Sequence, residues 1–120
     1  MRTLVLLVGL VAVAAGCGSS SKSSDSNAGS TNKQTIEMKI TSDGCSPATV
    51  SAKPGSVEFE VSNDGASDIT ELEVKSGEKI VGEAENLTPG LSKDFSVNLK
   101  AGTYEIECPG GKSATLTVAP

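Results

Sequence analysis

Histidine is absent from this 120-residue chain, and so is tryptophan; the aromatic side chains amount to Phe59, Phe95 and Tyr104. Without imidazole there is no histidine-based acid–base catalysis and no metal site that depends on an imidazole donor. With so few aromatic rings, any core must be thin. Basic charge is also scarce. Lysine and arginine total 10 against 15 acidic residues, a net charge of −5. Nucleic acid calls for a clustered basic surface, so it is excluded as a partner. The longest apolar run, Leu4 to Val13, is too short to span a bilayer. No helical periodicity stands out, no internal repeat is visible, and no catalytic constellation is present. The expectation is a binding protein and not an enzyme.

What is present begins with an address. Met1-Arg2 gives a short basic start to the apolar run, and Ala14-Ala15-Gly16-Cys17 closes it with small residues ahead of a cysteine. This is the pattern of a secretory signal. The last four residues resemble the lipobox of bacterial lipoproteins, with Ala14 where leucine is commoner. The resemblance implies that 1–16 is a signal peptide and that Cys17 is lipidated as the first mature residue. The alternative is an ordinary signal peptide cut near Ala14 or Gly16. Residues 17–33 hold the cysteine and a Ser/Gly tract with no apolar side chain larger than alanine, which cannot offset the entropy of ordering it. The 16 residues from Gly18 to Lys33 form a flexible tether reaching about 20–24 Å. The expected location is the cell membrane, lipid-anchored and extracytoplasmic, in a periplasm or at the cell surface.

From Gln34 on, apolar and polar residues alternate in short runs. Ile36, Met38 and Ile40 share one parity, as do Val57, Phe59 and Val61, then Leu72 and Val74, then Phe95, Val97 and Leu99. Tyr104, Ile106 and Cys108 follow, then Ala114, Leu116 and Val118. Turn residues separate them at Asp43-Gly44, Pro54-Gly55, Asn63-Asp64-Gly65, Ser76-Gly77 and Pro109-Gly110-Gly111. Seven or eight short strands at this spacing predict one all-β domain over 34–120, a Greek-key β-sandwich read as antiparallel. Ser67 to Val74 is the one stretch where a helical turn has room. A domain this small buries only about 60% of its unfolded surface, so a covalent or metal staple would matter.

Three cysteines bear on that need. Lipidation of Cys17 leaves the even pair Cys45 and Cys108 in an oxidising compartment. An immunoglobulin-type bridge fails its own tests, since tryptophan is absent and Ile106, not tyrosine, stands two residues before Cys108.

Cys45-Ser46-Pro47, Lys53-Pro54-Gly55, Asn63-Asp64-Gly65, Gly102-Thr103-Tyr104 and Cys108-Pro109 fall in the order seen in cupredoxins. The chain resembles more closely the cupredoxin-like domain of EfeO-type iron-uptake proteins. Thr70-Glu71-Leu72-Glu73-Val74, the stretch from Val81 to Leu91 and Cys108-Pro109-Gly110-Gly111 carry that likeness across 34–120. It implies a metal-binding accessory in iron or copper uptake, with an iron or copper ion bound and other uptake components as partners. It also brings Cys45 and Cys108 to one end of the sandwich and carries over Cys45, Glu71 and Cys108 as metal ligands. Strand parity turns Glu71 outward unless a bulge intervenes. Two thiolates and an acid suit Cu(I) or Zn²⁺, whereas Fe³⁺ prefers carboxylates. Blue copper is excluded, because Thr70 stands where the first histidine would and Met38 belongs to the core. Three outcomes for the cysteine pair stay open: metal ligands, a disulfide that staples a structural or protein-interaction module with a vestigial site, or free buried thiols. Glu83 and Glu85 have a metal reading too, but the reading preferred is a solvated acidic edge.

Overall fold

Alternation in the sequence becomes two faces of strand wherever both faces have something to meet. The computed structural model describes residues 33–120; the signal peptide, Cys17 and nearly all of the linker lie outside the described residues. Nine strands follow in order: β1 (Gln34–Thr41), β2 (Gly44–Ser46), β3 (Thr49–Ala52), β4 (Gly55–Asn63), β5 (Leu72–Ser76), β6 (Lys79–Ala84), β7 (Ser92–Leu99), β8 (Gly102–Glu107) and β9 (Ala114–Val118). They form a four-stranded sheet, β2-β1-β4-β7, and a five-stranded sheet, β3-β9-β8-β5-β6. No helix occurs among the described residues, including Ser67 to Val74.

The core is the set of inward parities. Ile36, Met38 and Ile40 of β1 and Val57, Phe59 and Val61 of β4 face Leu72 and Val74 of β5, Ile106 of β8, and Leu116 and Val118 of β9, all buried. Phe59 stacks on Phe95 of the neighbouring strand β7 with ring centroids 5.1 Å apart. Burying a side chain of this size contributes about 1.5–3 kcal/mol, so the alternation itself selects the register.

Two features depart from the sequence reading. The sheets are mixed and not purely antiparallel: β1 pairs with β4, and β3 with β9, in parallel. These strands are far apart in the chain and meet only because the connections cross from sheet to sheet. The other is β2, which lies where the sequence shows a turn. Three residues carry no alternation, and β2 exists because Ile40 pairs with Cys45 across the turn. Tyr104 supplies a corner of its own: its hydroxyl donates to the Lys100 carbonyl at 2.9 Å and accepts from the Lys100 N–H at 3.1 Å.

Candidate functional site

At one end of the sandwich the chain brings Cys45 of β2 to Cys108, which follows β8 directly. The two form a disulfide, with Cα atoms 5.5 Å apart and a sequence separation of 63. Cys108 is fully buried and Cys45 is only 8% exposed. The Cys45 sulfur lies 3.5 Å from the Ile106 carbonyl oxygen. Backbone bonds brace the same end. The Cys45 N–H donates to the Lys112 carbonyl at 2.8 Å, and the Lys112 N–H to the Asp43 carbonyl at 2.7 Å. A sulfur bonded to sulfur is not a thiolate, and the thiolate is the metal ligand. The set Cys45, Glu71 and Cys108 is therefore not a ligand set in this state.

Glu71 keeps other company. It precedes β5 and shares its outward parity with Glu73, while Leu72 and Val74 between and beyond them are completely buried. Antiparallel pairing sets Glu73 opposite Glu83 of β6. Carboxylate oxygens of Glu71, Glu73 and Glu83 lie within 4.8 Å of one another. Among the described residues this is the one gathering of three or more such ligand groups. Partial burial, and then the charges and hydrogen bonding of Glu73 with Glu85 and Glu83 nearby, push the Glu71 carboxyl above its ordinary range. Crowded carboxylates either share protons or take up a cation.

On its other side Glu73 faces Glu107 of β8. Lys75 holds that carboxylate in an ion pair at 2.9 Å, and the Lys75 ammonium is raised above its usual pKa chiefly by this bond. Glu107 is thus already partnered, which leaves three carboxylates facing one another.

Sequence reasoning found Glu71 and placed it correctly on the outer face. It missed Glu73 as a companion and took Glu83 for edge solvation. Parity alone gives Glu71 with Glu73; adding Glu83 needs the β5–β6 register, which an irregularity between Val74 and Lys75 shifts by one residue from what the turn pairing of Ser76 with Lys79 would give.

A further element positions this cluster. Asn63, at the end of β4, is the one buried polar residue among the described residues, 3% exposed. Its amide nitrogen donates to the carbonyls of Ala66, Ile69 and Leu87 at 2.7–3.0 Å, and its side-chain oxygen accepts from the Ala66 N–H at 2.7 Å. The Leu87 N–H donates to the Thr70 carbonyl. The segment entering β5 at Glu71 and the segment leaving β6 after Glu83 are thereby tied together. The sequence showed Asn63 only as a turn residue.

Comparison with known proteins follows the same lines. The family model described as the cupredoxin-like domain matches residues 7–118. The iron uptake system component EfeO of Escherichia coli strain K12 is 30% identical over 73 residues, covering 61% of this chain and 19% of that protein. The Shigella flexneri component gives the same figures, so this chain spans about a fifth of the length of the curated relatives it matches. Among solved structures, reduced auracyanin from Roseiflexus castenholzii superposes with a TM-score of 0.64 at 20% identity, covering 72% of this chain and 98% of the other. Auracyanin A of Chloroflexus aurantiacus, a blue copper protein, gives 0.61 at 14% identity, covering 73% and 100%. At such identities the likeness shows the fold alone.

Proposed function

This chain belongs to the cupredoxin-like domain family, and from that premise we propose that it is a membrane-anchored, extracytoplasmic accessory of iron uptake that holds a hard cation on carboxylates. The observation that carries the reading is the approach of Glu71, Glu73 and Glu83 within 4.8 Å. Three oxygen donors of one charge suit ferric iron, or another hard cation, better than a soft ion. Similarity to a part of EfeO points the same way. Iron here is cargo, and the partners are other components of an iron-uptake system.

Copper of the kind the fold accommodates elsewhere does not fit. A blue-copper centre takes two imidazoles, a thiolate and a weak axial ligand. The chain has no histidine, the Cys108 sulfur is spent in a disulfide, and Met38 is buried on β1. The role we assign is binding and delivery, without catalysis or electron transfer. Anchoring rests on the lipobox-like Ala14-Ala15-Gly16-Cys17, with Cys17 carrying the lipid. The described residues include no helix long and apolar enough to cross a membrane.

The buried disulfide favours a second reading, a stapled protein-interaction module whose acids bind nothing. Calorimetric titration of the oxidised chain with Mn²⁺ and with ferric nitrilotriacetate separates the two. The expected result is saturable binding that disappears in Glu71→Gln/Glu73→Gln/Glu83→Gln and persists in Cys45→Ala/Cys108→Ala. Wild type that binds neither probe, or binds them as well as the triple variant does, leaves the stapled module as the answer.

A further inference from the structure

The loop from Pro109 to Ser113 lies flat against the β1–β2 turn. Gly44 and Lys112 form a parallel bridge, and the Cys45 N–H to Lys112 carbonyl bond (2.8 Å) continues it beside the disulfide. Two positions in this contact leave no room for a side chain. A Cβ on Gly44, whose φ is +131°, would overlap the Lys112 backbone. A Cβ on Gly111 would stand 2.5 Å from the Gly44 Cα, 2.6 Å from Ile69 Cδ1 and 2.9 Å from the Asp43 carbonyl oxygen. Backbone touches backbone here, and the two cysteines sit one residue from Gly44 and three from Gly111.

We propose that Gly44 and Gly111 are positioning residues for the oxidation of Cys45 and Cys108. Their bare backbones let the two loops dock, and docking holds the two thiols together so that the bond forms on the folded domain. The reaction is thiol–disulfide exchange with a disulfide donor, either a small disulfide or an oxidoreductase. One domain thiolate attacks the donor's disulfide and releases a thiol; the second attacks the mixed disulfide and releases another. Two electrons pass to the donor, and the two thiol protons end on the two released thiols. The same docking closes the end of the sandwich at which the cysteines lie, so covalent sealing takes the place of metal ligation by these sulfurs. The cause is steric, and glycine is what permits it.

Neighbouring glycines separate this role from a general structural one. Gly110 has φ +100°, and the nearest atom to a Cβ there is 3.6 Å away. Gly110→Ala therefore introduces backbone strain without a clash, whereas Gly111→Ala introduces a clash at the contact itself. The readout is the equilibrium fraction of Cys45–Cys108 disulfide in the full-length chain across glutathione redox buffers, measured by peptide mapping so that Cys17 does not interfere. Gly111→Ala is expected to shift the midpoint at least tenfold toward the reduced form. Gly110→Ala is expected to stay within twofold of wild type even though its melting temperature falls. If Gly111→Ala does not fold alone, Ile69→Val/Gly111→Ala removes the Cδ1 overlap while keeping the clash with Gly44 and Asp43, and the shift should remain. A midpoint equal to wild type in the folded Gly111 variant, or an equal shift in both single variants, overturns the proposal.

Discussion

The cysteine pair and the acidic cluster lie in opposite kinds of surroundings. Around Cys45 and Cys108 everything is dry, covalent and close: the sulfurs are buried and bonded, and glycines let backbones touch. Around Glu71, Glu73 and Glu83 the surface is half open, and like charges face each other without a covalent tie. Soft donors have been taken out of use, while hard donors have been left crowded. A domain that combines these two is stabilised at one place and strained electrostatically at the other. That difference assigns the staple to the cysteines and makes the acids the place where a cation is proposed.

The sharpest break of this contrast is to remove the staple. Closing a chain segment of 63 residues contributes about 4 kcal/mol on the chain-entropy account. Cys45→Ala/Cys108→Ala should therefore lower the melting temperature by roughly 15–30 °C in a domain of this size. Cation affinity of whatever remains folded should be unchanged. Thermal unfolding followed by titration below the new transition checks both halves, and a lost affinity would return the cysteines to the ligand set.

Next comes the tie between the segments that flank the acids. Asn63→Ala strips partners from the carbonyls of Ala66, Ile69 and Leu87 and from the Ala66 N–H. Leaving buried polar groups unpaired costs about 1–3 kcal/mol for each lost partner, less where water enters. A net loss of about 3 kcal/mol in denaturant unfolding is expected, with the disulfide still formed.

The acidic face should respond in the opposite sense. Glu83→Gln removes a like charge directly across from Glu73 and should stabilise the cation-free protein by roughly 0.2–1 kcal/mol. The same change should weaken Mn²⁺ binding about tenfold, a loss of about 1.4 kcal/mol. A variant less stable than wild type without metal would mean that the carboxylates hold each other through shared protons more than they repel.

The smallest effect is on pH. The Glu71 carboxyl is raised by burial and by its acidic neighbours, so the native state holds that proton more tightly than the unfolded chain does. Its contribution is present below the unfolded pKa and is lost as pH rises through the folded value. Melting temperature should thus fall slightly from mildly acidic toward neutral pH, and Glu71→Gln should flatten that slope.

How much of this was legible follows from which forces act locally. Parity in β1, β4, β5, β8 and β9 named most of the core residues, because a strand with one buried face must alternate; Ala66, Ile69, Ala84 and Leu87 are buried outside that pattern. The turn residues set off most of the strands, and the even cysteine pair in a chain read as exported left a bond as one of three outcomes. Parity also turned Glu71 outward. Three things lay beyond reach: the parallel pairings of β1 with β4 and β3 with β9, the Asn63 hub and the gathering of Glu73 and Glu83 with Glu71. Each joins residues whose neighbourhood is set by how the sheets stack and register, and no local propensity encodes that. The lack of histidine decided against blue copper from the sequence alone, since a ligand that is not encoded cannot be supplied by folding. Which sulfur meets which partner, and which acids meet each other, was decided only in the tertiary structure, where distance and burial replace order along the chain.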